Sequence, residues 1–163
     1  MEKILVLSDI HSGLWRAKKA VEMHRECKTV IFLGDGARHI DTLKGLNPDA
    51  AFFAVRGNCD TFLDGDFENE GVLDIASHRI FICHGHTRFV KSGRGGLLGA
   101  AKEYNCDIAL FGHTHHPAED YDPQNGVYFF NPGSIGDARS GRYTYGLLSL
   151  DEKNVLFSVG EVE

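Results

Sequence analysis

Residues 3–11 read Lys-Ile-Leu-Val-Leu-Ser-Asp-Ile-His. A short apolar run, β-branched in part, ends in Asp9 and His11 and is followed by Ser12-Gly13, which is typical of a buried strand that stops at a turn. Residues two apart on an extended backbone point to the same side, so Asp9 and His11 can aim at one point. A carboxylate oxygen and an imidazole nitrogen that converge suit a divalent transition metal. The motif alone favours a simpler interpretation, in which Asp9 caps the next helix and His11 is merely exposed.

The composition is that of an ordinary globular protein. Of the 163 residues, 42% are hydrophobic and 25% are charged, and we predict one domain over residues 1–163. We expect no membrane association and no signal peptide, because the chain has no apolar run of membrane-spanning length and enters a strand at once. A formal net charge of −6 argues against a broad nucleic-acid surface. Four scattered cysteines, Cys27, Cys59, Cys83 and Cys106, predict free thiols in the cytoplasm.

Hydrophobic periodicity in the first third of the chain predicts strands alternating with helices. Further strands are predicted over residues 29–33 and 51–55, and helices over residues 14–27 and 38–44, the first capped by Ser12. This β-α-β-α-β order requires a parallel sheet that is flanked by helices.

The rest of the chain predicts a second group of strands. Residues 60–70 form an acidic loop, 72–75 and 79–83 a hairpin, 86–96 a glycine-rich loop, 97–104 a helix and 108–111 a strand. Three strands are predicted from Val127 onward, separated by turns at residues 131–134 and 151–154. The apolar content of these last strands would permit a homodimer.

Five of the predicted strands end in the same way, with an apolar run, a break and a side chain that can bind a metal. These side chains are Asp9 with His11, Asp35, Asn58, His84, and His113 with His115. Taken singly, each Gly-Asp or Gly-Asn is an ordinary turn and each histidine an ordinary loop residue. In α/β sheets, however, sites form at the carboxyl ends of strands. Five such endings in one short chain therefore favour a shared metal site.

The same motifs carry a family resemblance. In their order along the chain they are Asp9-x-His11, Gly34-Asp35, Gly57-Asn58-x-Asp60, His84-Gly85-His86 and Gly112-His113-Thr114-His115. This series resembles the signature of calcineurin-like metallophosphoesterases, and the short chain is similar to the one-domain bacterial and archaeal phosphodiesterases of the YfcE type. The resemblance implies an α/β (α+β) fold, a four-layer sandwich of two mixed β-sheets packed face to face with helices on the outer faces.

The resemblance also implies two divalent metal ions and a ligand for each position. One ion would be held by Asp9, His11 and His115 and the other by Asn58, His84 and His113, with Asp35 shared between them. Mn²⁺ is the expected ion, and Fe, Zn²⁺ and Ni²⁺ also fit mixed nitrogen and oxygen ligands. The implied reaction is hydrolysis of a small phosphodiester or nucleotide through attack of a metal-bridging hydroxide on phosphorus.

One position departs from the pattern of many superfamily members. Where they have a histidine after Gly-Asn, thought to protonate the leaving group, this chain has Cys59, as the YfcE-type enzymes do. A thiol is a weak donor and is neutral when protonated, so we expect diesters and good leaving groups to be favoured. His86 is either a replacement acid or a residue that orients a ligand. Asn58, His86 and Arg88 are the predicted substrate contacts, although the basic residues Arg88, Lys91 and Arg94 are equally well explained as solvated.

Two other functions fit parts of the pattern. A non-catalytic or weakly catalytic metal-binding scaffold that binds a protein partner is known on this fold in membrane-trafficking coats, but that relative has lost metal-site histidines that are present here. A nuclease is disfavoured by the acidic net charge and the small size, which leave room for short oligonucleotides or cyclic nucleotides only.

Overall fold

The structure is a computed structural model that describes residues 1–61 and 67–163, so part of the predicted acidic loop lies outside the described residues. The described strands are β1 (Glu2–Leu7), β2 (Thr29–Phe32), β3 (Ala51–Ala54), β4 (Glu70–Ile75), β5 (His78–Cys83), β6 (Ile108–Leu110), β7 (Pro117–Asp122), β8 (Val127–Pro132), β9 (Thr144–Leu150) and β10 (Val155–Glu161). The α-helices are α1 (Leu14–Met23), α2 (Ile40–Lys44) and α3 (Gly95–Glu103), and short 3-10 helices span Ala37–His39, His86–Arg88 and Val90–Ser92. No helix among these residues is long and apolar enough to cross a membrane.

The strands form two mixed sheets of five strands each. The first has the order β10-β9-β1-β2-β3, and the second has the order β4-β5-β6-β8-β7. Strands β1, β2 and β3 are parallel, as predicted, and β9 and β10 extend the first sheet in the antiparallel sense. In the second sheet β5, β6 and β8 are parallel, and the edge strands β4 and β7 are antiparallel.

Alternation of apolar side chains along the strands explains how the sheets stack, because successive residues of a strand face opposite sides. One buried cluster joins the inner faces of both sheets and includes Ile4, Val6, Ile31, Ile80, Ile82 and Ile108. The outer face of the first sheet packs on α1, and the outer face of the second packs on α3. The predicted four-layer arrangement is therefore confirmed.

The predicted elements differ from the structure in several places. The predicted helix over residues 38–44 is a 3-10 turn followed by α2, and the predicted loop over residues 86–96 contains two 3-10 helices and the start of α3. Helix α1 ends at Met23 rather than at residue 27, and its N-cap is Gly13 without a side-chain hydrogen bond, so the predicted cap by Ser12 is wrong. Strand β7 was not predicted, because four consecutive residues from Ala118 to Tyr121 are exposed and show no apolar alternation. Its backbone pairing with β8 forms this strand.

The buried carboxylate of Asp60 joins the loops that follow β2 and β3. Its Oδ2 accepts hydrogen bonds from the backbone N–H groups of Asp35 and Gly57, both at 2.8 Å. Its Oδ1 accepts from Gly36 at 2.9 Å and from Ala37 at 3.1 Å. Buried N–H groups need an acceptor, so this one side chain fixes the two loops relative to each other.

His78 lies at the start of β5 and connects the two sheets there. Its Nδ1 lies 2.6 Å from Oδ2 of Asp107, which directly precedes β6 of the second sheet. Its Nε2 lies 2.8 Å from the carbonyl oxygen of Asp151, which directly follows β9 of the first sheet. Both partners are acceptors, so both ring nitrogens must donate, which requires the protonated ring. Burial opposes the charge, but the bonds to Asp107 and Asp151 outweigh it and raise the pKa of His78 above its ordinary value of 6.5.

We expect Asp60→Asn to destabilise the fold by about 2–6 kcal/mol, because two backbone N–H groups would lose their acceptor and each loss costs about 1–3 kcal/mol. Urea unfolding measures the change. Asp41→Asn is the matched control, since that side chain is 99% exposed, and should shift stability by less than about 0.5 kcal/mol. Equal unfolding midpoints for the two variants would contradict the role of Asp60.

The raised pKa of His78 predicts a pH-dependent contribution to stability. A raised pKa in the folded state stabilises the fold fully below the unfolded value of 6.5, and this contribution is lost as pH rises through the folded value. We expect His78→Gln to cost up to about 1 kcal/mol at about pH 5.5 and clearly less at about pH 9. Thermal unfolding of both proteins across this range measures the difference, and parallel curves would show that the interpretation is wrong.

Candidate metal centre

The predicted ligands lie together where strands from both sheets end. Asp9 and His11 follow β1, Asp35 follows β2, Asn58 follows β3, His84 follows β5, and His113 and His115 follow β6. The two sheets are joined at this point, because the backbone N–H of His113 donates to Oδ2 of Asp9 at 3.1 Å. Each sheet therefore supplies part of one cluster.

Asp9, His11 and His115 form one group of converging ligand atoms. Nε2 of His115 lies 3.0 Å from Oδ1 of Asp9, and Nε2 of His11 lies 3.3 Å from Nε2 of His115. Nε2 of His11 is 3.7 Å from the same oxygen of Asp9.

His84, Asp35 and Asn58 form the second group. Nε2 of His84 lies 3.3 Å from Oδ2 of Asp35 and 3.1 Å from Oδ1 of Asn58. The ring of His113 is close by, with its centroid 5.0 Å from that of His84. The structure thus brings all seven predicted ligands to one place, and their binding of metal stays a prediction.

The spacings fit metal coordination. Two ligand atoms bonded to one ion at about 2.1 Å, and about 90–109° apart, lie roughly 3.0–3.4 Å from each other. Four of the five separations given above fall in that range, and the fifth, between His11 and Asp9, is 3.7 Å. Oδ1 of Asp9 is in addition fully buried without a hydrogen-bond partner among the described residues, which is costly for a carboxylate that binds no cation.

A neighbouring carbonyl group orients the imidazole of His84. Nδ1 of His84 lies 2.7 Å from the carbonyl oxygen of Leu33, which can only accept, so Nδ1 carries the proton and Nε2 faces the cluster. Metal-binding histidines commonly have such a partner on the second nitrogen. Nδ1 of His115 lies 3.1 Å from a carboxylate oxygen of Asp137, but it forms no hydrogen bond with the described residues.

The electrostatics of the cluster require positive charge. Burial raises the pKa of Asp9, but the imidazoles of His11, His115 and His84 outweigh this and hold it far below its ordinary 3.8. The pKa of Asp35 is also lowered, burial being outweighed chiefly by His84. Two buried carboxylates are thus ionised, and protonated imidazoles or bound cations can balance them.

His113 differs from its neighbours in charge. Burial, the charge of His84 and the charge of Lys91 lower the pKa of His113 to about 4. The ring is therefore neutral near pH 7 and keeps a lone pair available for coordination.

Backbone strain is concentrated at the cluster. Asp9, His11, Asp35, His113 and His115 have φ values of +55°, +44°, +61°, +67° and +62°. Asp9 and His11 come after the end of β1 at Leu7, so the prediction that an extended backbone aims both side chains at one point is wrong, and the left-handed turn brings them together instead. Nine non-glycine residues of the described chain have positive φ, and these ligands are five of them. Such conformations are uncommon for L-residues, and their concentration is typical of functional sites.

Two glycines allow this close approach. A Cβ atom at Gly57 would overlap the carboxylate of Asp35, and one at Gly112 would overlap Oγ of Ser8 and the carboxylate of Asp9. These steric limits explain why Gly57 and Gly112 precede the ligands Asn58 and His113.

The remaining predicted site residues lie around the cluster. The backbone N–H of Cys59 donates to Oδ1 of Asp35 at 2.7 Å, and its exposed thiol lies 3.4 Å from Nδ2 of Asn58. The ring centroid of His86 is 5.4 Å from that of His84, and its pKa is lowered by burial and then by the charge of His84. Whether His86 acts as an acid or orients a ligand stays open.

The basic residues of the glycine-rich loop are largely engaged elsewhere. Arg88 binds Glu70 through two hydrogen bonds, at 2.5 Å from Nε and 2.6 Å from Nη2, and Arg94 pairs with Asp120. The guanidinium of Arg88 would have to leave Glu70 to reach a substrate, so its predicted contact stays a prediction.

The sequence interpretation named Asp60 only as part of the motif Gly57-Asn58-x-Asp60, without a structural role, and it missed Asp137 and Arg38. Arg38 lines a cavity of about 90 Å³ together with His11, Asp35, Gly36, Cys59 and Asp60. For Arg38, the only signal in the sequence was a basic residue three positions after Asp35. No local sequence pattern indicated that Asp137 lies close to His115.

Comparisons with known proteins agree with this geometry. Residues 2–153 match the calcineurin-like phosphoesterase superfamily domain. The chain is 33% identical over 162 residues to a probable metallophosphoesterase of Mycoplasma pneumoniae, covering 95% of this chain and 94% of that one. It is 31% identical over 150 residues to the probable metallophosphoesterase YsnB of Bacillus subtilis, covering 91% and 84%.

Solved structures show the same fold. A conserved Streptococcus pneumoniae protein, a predicted phosphoesterase, superposes with a TM-score of 0.82 at 22% identity over 98% of this chain and 89% of that one. An archaeal phosphodiesterase gives 0.75 at 26% identity over 96% and 99%. Vps29 from Entamoeba histolytica, complexed with Zn²⁺, gives 0.74 at 23% identity over 98% of both chains. With its domain match, its curated relatives and its two-sheet fold, the chain belongs to the calcineurin-like phosphoesterase superfamily.

Proposed function

We propose that this protein is a dinuclear metal-dependent phosphodiesterase that hydrolyses small phosphodiesters, nucleotides among them. The observation that carries the proposal is the position of Asp35 between the two ligand groups. Its Oδ2 lies 3.3 Å from Nε2 of His84 in one group and 3.9 Å from Nε2 of His11 in the other. A carboxylate in this position can be shared by two cations.

The donor set suits the chemistry. Two divalent cations would supply Lewis acidity and lower the pKa of bound water to near 7. Only Asp9 and Asp35 bring negative charge, and the other predicted ligands are a neutral amide and imidazoles, so the cations keep most of their charge. We propose Mn²⁺ as the ion, and Fe, Zn²⁺ and Ni²⁺ fit the same mixed nitrogen and oxygen ligands.

A diester is the preferred substrate in this proposal. The thiol of Cys59 is neutral and a weak donor, which favours substrates that carry one negative charge and have a good leaving group. The 26% identity to an archaeal phosphodiesterase supports the same class. We further propose that the protein works in the cytoplasm, in keeping with its free cysteines, and that exposed Leu156 and Val159 on the edge strand β10 permit a homodimer.

We expect protein stripped of metal to be inactive and to regain turnover with Mn²⁺, with an activated aryl phosphodiester preferred over its monoester. His115→Ala should lower kcat by at least about 10²-fold, because it removes a predicted ligand of a cation that stabilises the transition state. The matched control is His116→Ala, at the exposed neighbouring histidine, which should leave kcat unchanged.

Steady-state kinetics and metal analysis by mass spectrometry measure both effects. If neither ester turns over with any divalent metal, the phosphodiesterase proposal is wrong. The scaffold function would then be favoured, and a protein partner should be sought.

We expect Cys59→His to weaken the dependence of rate on the leaving group. An imidazolium at this position can protonate a poor leaving group, and general acid catalysis contributes about 10²–10⁴-fold. The rate on an alkyl diester should therefore rise far more than the rate on an aryl diester. Cys106→Ser, at the other end of the second sheet, should leave the ratio of the two rates unchanged. An unaltered ratio in Cys59→His would rule out the proposed effect of the thiol.

A further inference from the structure

We propose that Arg38 binds the phosphate group that is hydrolysed, and that its guanidinium supplies the positive charge that the thiol of Cys59 cannot. This inference rests on the proposed phosphodiesterase function and names a residue outside the motifs that define the metal centre. Four observations carry it, namely the rigid turn that holds Arg38, the orientation of its guanidinium, the engagement of the other arginines, and the cavity that it lines.

Arg38 projects from a turn that is fixed to the metal centre. It lies in the 3-10 helix Ala37–His39, directly after Gly36. The backbone N–H groups of Gly36 and Ala37 both donate to the carboxylate of Asp60, as does that of Asp35. The same carboxylate therefore places Arg38 and the shared ligand Asp35 in a fixed relation, which a side chain on a free loop would lack.

The guanidinium is oriented by the residues beside it. Nε of Arg38 donates to Nε2 of His39 at 3.1 Å, and Nη2 lies 3.5 Å from the carbonyl oxygen of His11. No carboxylate of the described residues lies within 4.0 Å of Arg38. The exposed guanidinium thus carries a positive charge beside the site that no ion pair with the described residues neutralises.

Six other arginines of the described chain are held in ion pairs or stacked on rings. Arg25 and Arg56 have no ion pair among the described residues, and Nη2 of Arg56 donates to the carbonyl oxygen of Asp60 at 3.4 Å. Ion pairs hold Arg79 with Asp74, Arg88 with Glu70, Arg94 with Asp120, Arg139 with Asp137 and Arg142 with Glu161. Arg16 stacks over the rings of Trp15 and Tyr143. Arg38 differs from these six in lining a cavity with metal-ligand residues while carrying no ion pair among the described residues.

The cavity places a bound group beside the predicted cations. Its volume of about 90 Å³ is large enough for one tetrahedral oxyanion. His11 and Asp35, predicted ligands of the cations, form one wall. An oxyanion in this cavity would lie against the cations, so it is the reacting phosphate rather than a distant one.

The charge and the planar geometry of its guanidinium explain how Arg38 would bind the phosphate. The carboxylate of Asp60, also at the cavity, is occupied by backbone N–H groups, and the thiol of Cys59 is a weak neutral donor. A guanidinium offers several N–H donors in one plane, which match two phosphate oxygens. Arg38 would therefore hold the non-bridging oxygens in the ground state and offset their charge as the new bond to phosphorus forms.

The test measures binding of inorganic phosphate to manganese-loaded protein by isothermal titration calorimetry, which needs no turnover. Wild type is compared with Arg38→Gln, Arg38→Lys and the control Arg142→Gln, whose arginine is exposed and paired with Glu161. We expect the dissociation constant to rise about 10–100-fold in Arg38→Gln, because hydrogen bonds between charged groups are lost. Arg38→Lys, which keeps the charge without the planar fork, should lie between wild type and Arg38→Gln. Arg142→Gln should bind like wild type, and all four proteins should hold equal manganese.

Three results would overturn the proposal. The first is equal phosphate affinity in wild type and Arg38→Gln, and the second is loss of manganese from Arg38→Gln, which would show a structural role. The third is unchanged affinity for phosphate with weakened affinity for pyrophosphate, which would place Arg38 at a second phosphate. An inactive enzyme that binds phosphate through Arg38 would instead contradict the proposed reaction alone, so the two failures can be told apart.

Discussion

The carboxylate of Asp60 accepts four backbone N–H groups, two on each of its oxygens, and the geometry of the site depends on this arrangement. It joins the loop that bears Asp35 to the loop that bears Asn58 and Cys59. A turn that carries a predicted metal ligand can adopt several conformations unless hydrogen bonds hold it in one of them. Here a buried acceptor that uses both of its oxygens holds both turns, and the 3-10 helix with Arg38 begins at the same point.

A balance of charge accounts for the remainder of the centre. Asp9 and Asp35 are buried carboxylates whose pKa values are lowered, and imidazoles from both sheets surround them. The carbonyl oxygen of Leu33 accepts from Nδ1 of His84 and turns Nε2 of that ring inward. Such an arrangement is unfavourable without compensating cations, and the left-handed backbone at five ligands adds to its cost. Burial of the apolar core, where both sheets pack together, offsets this unfavourable free energy.

Membership in the superfamily and the local chemistry answer different questions. The family, shared with curated metallophosphoesterases, establishes a phosphoesterase-type domain, while a solved Vps29 has the same fold at 23% identity. Fold alone therefore does not decide between hydrolysis and a scaffold role. The arrangement of Asp35 between two ligand groups, and of Arg38 beside them, is the feature of this chain that favours hydrolysis. In the proposed function, the thiol of Cys59 is the feature that favours diesters with good leaving groups.

The sequence by itself determined that the first three strands form a parallel sheet and which residue types follow its strands. Both follow from local rules, since apolar runs of this length form strands and the alternation of strands with helices requires parallel pairing. Only the tertiary structure decided which backbone groups Asp60 binds, that Asp137 lies beside His115, that Arg88 is held by Glu70, and that β7 completes the second sheet. These features join residues that are distant in sequence or lack apolar periodicity, so no local pattern encodes them. Their partners are chosen when the two sheets pack and bring the strand ends to one edge.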